Sequence, residues 1–116
     1  MKPFLSNEDY YLLLSLVETI DKIFRYSSDY RSAEEFYNND RDFDATLMNF
    51  IVTGEIVGKI SDDLKSKTPE VDWQRVYSFR NILAHHYFGI NVDIVWQIIQ
   101  NDVPKLRENV LNILGN

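Results

Sequence analysis

Apolar residues recur at steps of three and four along most of this chain. Leu13, Leu16, Val17, Ile20 and Phe24 form one such series, and Leu47, Phe50, Ile51, Val57, Ile60 and Leu64 form a second. A third runs through Val92, Val95, Trp96, Ile99, Val103, Leu106, Val110 and Ile113. Each series puts an apolar stripe on one side of an α-helix, and each stripe needs a neighbour to bury it. No stretch reads as a strand pair, and neither a repeat nor a low-complexity tail is visible. The period therefore confines the chain to the all-α class, with long helices and short connections in an antiparallel four-helix bundle.

Local signals set the expected boundaries. Ser6, with Asp9 three residues on, caps a first helix over Asn7 to Tyr26. In the polar connector SSDYRSAEEFYNNDRD, Ser32 and Glu35 have capping-box spacing, which predicts a short extra helical turn over Ala33 to Tyr37. A second long helix is expected from Arg41 to Lys67, ended by Pro69. Gly54 and Gly58 lie four apart on one face of it; they cost helix propensity, so a close helix-to-helix approach is expected there. Asp72 caps a third helix over Trp73 to His85, Gly89 stops it, and Asn91 caps a fourth. Pro104 should kink or break that fourth helix.

With 116 residues and 45% hydrophobic content, the chain is expected to be one domain over 1–116, with a core that needs no staple. There is no cysteine, so disulfides, thiolate metal sites and a cysteine nucleophile are excluded. Ser, Glu and Thr interrupt the N-terminal apolar residues, unlike a signal peptide or membrane span, so a soluble cytoplasmic protein without membrane contact is expected. A net charge of −6 argues against a broad basic face coating nucleic acid, so no DNA partner is expected and any RNA contact must be local.

The chemistry is concentrated in SFRNILAHHYFGI, where Arg80, Asn81, His85, His86 and Tyr87 fall within eight residues. On an ideal helix, Arg80 and His85 are about 140° apart, whereas Tyr87 returns to within about 20° of Arg80. Arg80 and His85 converge only if the last turn unwinds or if two copies of the chain each supply part of one site. Taken singly, each residue has an ordinary structural reading: a salt-bridged arginine, a histidine favoured by the helix dipole, a tyrosine packed with its hydroxyl at the surface.

Together, Arg80, His85 and Tyr87 match R-x4-H-x-Y, and the chain resembles the HepT-like toxins, a branch of the HEPN superfamily of small helical ribonucleases. GEIVGKIS, PEVDW, RNILAHHYFGI and VDIVWQIIQNDVPKL extend the likeness over nearly the whole length. The resemblance implies a single HEPN-like domain, and a homodimer in which two motifs face one another. It also implies metal-independent RNA cleavage by 2'-OH attack, with His85 as general base or acid and Arg80 on the scissile phosphate. Asn81 would add a supporting hydrogen bond. The resemblance further implies an MntA-like nucleotidyltransferase antitoxin that transfers AMP to Tyr87 and silences the nuclease. No cofactor is implied.

The competing readings are weaker. Adjacent His85 and His86 diverge by about 100° on a helix and lack H-x3-H or Cys companions, so no metal site is expected. No phosphate loop is present, and Asp62 and Asp63 read as a solvated helix face. Tyr10, Tyr11, Phe24, Phe50 and Trp96 have the spacing of core or flanking aromatics rather than of a base-stacking platform, and Trp73 should pack on the bundle. The main alternative function is a non-catalytic HEPN-type dimeric module that binds a nucleotidyltransferase or a nucleotide.

Overall fold

The computed structural model describes residues 4–81 and 92–115. The first helix, α1, spans Asn7–Ser27, with the Ser6 hydroxyl accepting from the Asp9 N–H at 3.1 Å. A five-residue helix, α2, covers Ala33–Tyr37 and is capped by Ser32, as the capping-box spacing predicts. Phe36 on α2 is fully buried, with ring centroids 5.2 Å from Phe43 and 5.9 Å from Trp96. The short helix is thus an aromatic plug between neighbouring elements. Beside it, the Tyr30 hydroxyl donates to Asp42 at 2.5 Å, and this bond, with burial and the Asp42 charge, holds the phenol protonated to higher pH than usual.

The second long helix is broken where the sequence predicts continuity. Helix α3 spans Asp40–Lys59 and α4 spans Asp62–Lys67, with Ile60 extended between them at φ −68°, ψ 140°. The cause is a buried carboxylate on α1. Asp9 accepts from the Ser61 N–H at 3.0 Å and from the Ser61 hydroxyl at 2.5 Å, and Ser61 Oγ in turn accepts from Leu64 N–H. In a continuous helix that Ser61 N–H would donate to Val57 O, which here accepts from Ile60 instead. The same contact puts the start of α1 beside the end of α3, so the two helices run antiparallel. Removing the acceptor in Asp9→Ala leaves the half-buried Ser61 N–H and hydroxyl without this partner. Urea unfolding should show a loss of about 1–3 kcal/mol, and Asp9→Asn, which keeps one acceptor oxygen, should lose less.

Helix α5 covers Trp73–Tyr77, capped by Asp72 through Arg75 N–H at 3.1 Å. Trp73 is buried and its indole N–H donates to Thr68 Oγ1 at 2.9 Å, tying the α4–α5 connection to the core. After Tyr77 the backbone tightens into a 3₁₀ turn over Ser78–Asn81. The expected continuation to His85, and the stop and cap at Gly89 and Asn91, lie outside the described residues. The fourth run comprises α6 (Val92–Gln97), a π-helical turn at Ile98–Asp102, and α7 (Val103–Leu114). Pro104 therefore sits in the first turn of α7, directly after the π-helical turn that interrupts the regular α-helix, which is the local break expected at this proline.

Among the described residues there is no strand, and the buried positions are the ones the apolar stripes mark: Leu13, Leu16 and Ile20 on α1, Leu47, Phe50 and Val57 on α3, Val103, Leu106 and Val110 on α7. The fold is all-α and consistent with the expected helical bundle. Among these residues no helix is long and apolar enough to cross a membrane. Tyr11, at 66% exposure, departs from the core placement expected of the aromatic residues.

Candidate functional site

Arg80 is held at the surface by its neighbours in sequence. Phe79 points inward, buried, and meets fully buried Phe50 of α3 edge to face at 5.3 Å between centroids. With Phe79 anchored, Arg80 and Asn81 are left on the exposed side of the turn. A 3₁₀ geometry nearly eclipses residues three apart, which brings Arg80 over Tyr77. The guanidinium carbon lies 5.0 Å from the Tyr77 ring centroid, and Arg80 Nη1 donates to the Tyr77 hydroxyl. Stacking and a hydrogen bond together restrict a side chain that would otherwise sample many rotamers.

The wall behind this pair is α3. A Cβ added at Gly54 would fall 2.7 Å from both Arg80 Cβ and Arg80 N, and 2.8 Å from Tyr77 O. One added at Gly58 would fall 2.8 Å from Tyr77 Cε1. The close approach expected at these glycines is therefore real, and it is the approach that seats Tyr77 and Arg80. Glu55, adjacent to Gly54, places Oε1 3.6 Å from Arg80 Nε, with both side chains substantially exposed at 57% and 40%.

The structure thus brings Arg80 and Asn81 to one exposed turn and adds two residues that motif reading missed, Tyr77 and Glu55. Tyr77 was detectable as an aromatic three residues before the arginine, and Glu55 lies inside the GEIVG segment. His85, His86 and Tyr87 lie outside the described residues, as does any convergence of His85 or Tyr87 with Arg80. Among the described residues no three His, Cys, Asp or Glu side chains are grouped as a metal ion would require.

The opposite side of α5 carries different chemistry. A cleft of about 300 Å³ lies between α5 and the π turn with α7, lined by Arg75, Val76, Phe79, Asp102, Lys105 and Asn109 among others. Arg75 is committed there, donating through Nε to Asp102 at 2.5 Å. Arg80 is instead the arginine whose turn faces solvent beside the motif. A planar cation held over an aromatic ring at the surface, with an exposed carboxylate at its Nε edge, is suited to binding an oxyanion that displaces that carboxylate.

The chain is similar to proteins described as ribonucleases. A family model described as "Ribonuclease HepT-like" matches residues 16–113. A protein named "Putative RNase MJ0127" from Methanocaldococcus jannaschii is 34% identical over 102 residues, covering 88% of this chain and 84% of the relative. "Putative RNase MJ1380" from the same organism is 33% identical over 98 residues, covering 84% and 89%. "Probable ribonuclease HepT" from Thermococcus cleftensis is 28% identical over 102 residues, covering 88% and 90%. No solved structure matches the chain.

Proposed function

The chain belongs to the ribonuclease HepT-like family, and from that premise we propose that it is a metal-independent endoribonuclease toxin whose chemistry resides at Arg80 and His85. The observation that carries this reading is the seating of Arg80. Its backbone lies against Gly54, its neighbour Phe79 is buried, and its guanidinium is stacked and exposed at the start of the R-x4-H-x-Y segment.

In the proposed reaction the ribose 2'-oxygen attacks the adjacent phosphorus as the bond from phosphorus to the 5'-oxygen breaks, leaving a 2',3'-cyclic phosphate and a 5'-hydroxyl. The 2'-proton goes to a base, and the departing oxygen takes a proton from an acid. His85 suits either transfer, because an imidazole with a pKa near about 6.5 exchanges protons readily at neutral pH. Arg80 stabilises the charge that builds on the phosphoryl oxygens, and Asn81 adds a hydrogen bond from the same exposed turn. The fitting test is cleavage of RNA by purified, unmodified protein in excess EDTA, beside His85→Ala and His86→Ala. Activity lost in His85→Ala and kept in His86→Ala supports the assignment; RNA left intact by the wild type would instead favour the non-catalytic dimeric module. The acidity of the chain and the carboxylate beside Arg80 are the observations on that side.

A homodimer would let a second copy complete the site at Arg80. Supporting this, Met48 and Val52 are exposed at 56% and 38% on α3, two turns and one turn before Glu55 on the same side of the helix. Charge placed there, in a Met48→Asp/Val52→Asp variant, should shift sedimentation velocity from dimer to monomer and abolish cleavage while the helical circular dichroism signal is kept. The partner proposed for control is an MntA-like nucleotidyltransferase antitoxin. It would join AMP from ATP to the Tyr87 hydroxyl with release of pyrophosphate, placing negative charge and an adenosine in the phosphate site. Intact mass of protein co-produced with its antitoxin should show one or more added AMP groups, absent in Tyr87→Phe. An RNA substrate fits action in the cytoplasm.

A further inference from the structure

Arg80 meets three different surfaces at once. Its backbone is seated on Gly54, its ring-facing side and Nη1 are held by Tyr77, and its Nε edge faces Glu55 Oε1 at 3.6 Å. The first two contacts fix where the guanidinium is; the third occupies part of the donor edge that a phosphate would use. A carboxylate and a phosphate compete for one guanidinium fork, because each offers anionic oxygens that accept charge-assisted N–H bonds.

We propose that Glu55 is a positioning residue that acts through Arg80 as a built-in competitor for RNA phosphate. It occupies the Nε edge of the guanidinium in the empty site and is exchanged for a phosphate oxygen when RNA binds, while the Tyr77 contact is retained. This inference rests on the role given to Arg80 above and specifies how that role is regulated. Exposure makes the exchange possible: a solvated pair at this distance holds weakly, so a phosphate that satisfies two N–H groups displaces it.

The probe is a short, fluorescently labelled 2'-O-methyl RNA, which cannot be cut by 2'-OH attack, titrated at about 50 mM salt, where screening is modest. Glu55→Gln is expected to bind it about two- to fivefold more tightly than wild type, and the difference should shrink as salt is raised. Glu55→Asp should stay near wild type, and Glu34→Gln, which removes an equal charge from an exposed position on α2, should change nothing. In the Arg80→Ala background, Glu55→Gln should have no effect. With cleavable RNA, KM should fall by the same factor in Glu55→Gln with kcat unchanged, the pattern of altered uniform binding. Equal or weaker binding by Glu55→Gln, or the same tightening without Arg80, overturns the inference while leaving the nuclease reading intact. If Arg80→Ala itself binds the probe as well as wild type, the phosphate role of Arg80 falls, and the inference with it.

Discussion

Arg80→Ala should lower kcat/KM for RNA cleavage by about 10²–10³-fold, the usual consequence of removing one donor aimed at developing oxyanion charge. The fold should survive, because the side chain is 40% exposed and the turn is anchored by Phe79 rather than by Arg80. A thermal midpoint close to wild type is therefore expected. Arg80→Lys separates charge from geometry. Lysine restores the positive charge but has neither the fork nor the flat face that lies 5.0 Å from the Tyr77 ring centroid, so most of the loss should remain. Steady-state kinetics on the two variants, with circular dichroism as the folding control, decides the matter. Full rescue by lysine would mean that Arg80 acts only as a point charge, and unchanged activity in Arg80→Ala would remove it from the chemistry.

The sequence was most readable where one signal acted alone. The caps at Ser6, Ser32 and Asp72 each predict a helix start that the structure contains, because a side-chain oxygen accepting an orphan N–H is a local event. The end of helix α3 is hidden from the period because a tertiary contact overrides it: the stripe Val57, Ile60, Leu64 continues across the break, since all three are buried on the same core. The contrary signal was present in Ser61-Asp62-Asp63, a cap followed by acidic first-turn residues, but the partner that makes Ser61 start a new helix is Asp9, 52 residues away. The site divides in the same way. Arg80 was legible as a motif residue, whereas Tyr77 and Glu55 join it only because the turn after α5 is 3₁₀ and lies against α3. The glycine pair carried information of another kind, announcing a close contact without naming what makes it.

Gly54→Ala should be the more damaging of two outwardly equal substitutions in that pair. Replacing a helical glycine by alanine ordinarily gains about 1 kcal/mol of helix propensity. At Gly54 the new methyl would meet the backbone nitrogen and Cβ of Arg80 at 2.7 Å and the Tyr77 carbonyl at 2.8 Å, atoms that move only if the whole turn moves. Overpacking of this sort costs about 1–3 kcal/mol, so the propensity gain is cancelled or reversed. The displaced element is the one that carries Arg80, and cleavage should fall by more than the stability loss alone explains, by about tenfold or more, since small misplacements of a catalytic group are costly. At Gly58 the obstacle is one edge of the half-buried Tyr77 ring, with Cε1 at 2.8 Å and Cδ1 at 3.4 Å, and a ring edge can tilt away. Gly58→Ala should therefore keep near-native stability, and any loss of activity there should come through the Tyr77 stack. Urea unfolding and cleavage measured on both variants test the contrast. Equal effects at the two positions, or a Gly54→Ala protein as active and stable as wild type, would show that the seat of Arg80 on α3 is not what holds the arginine in place.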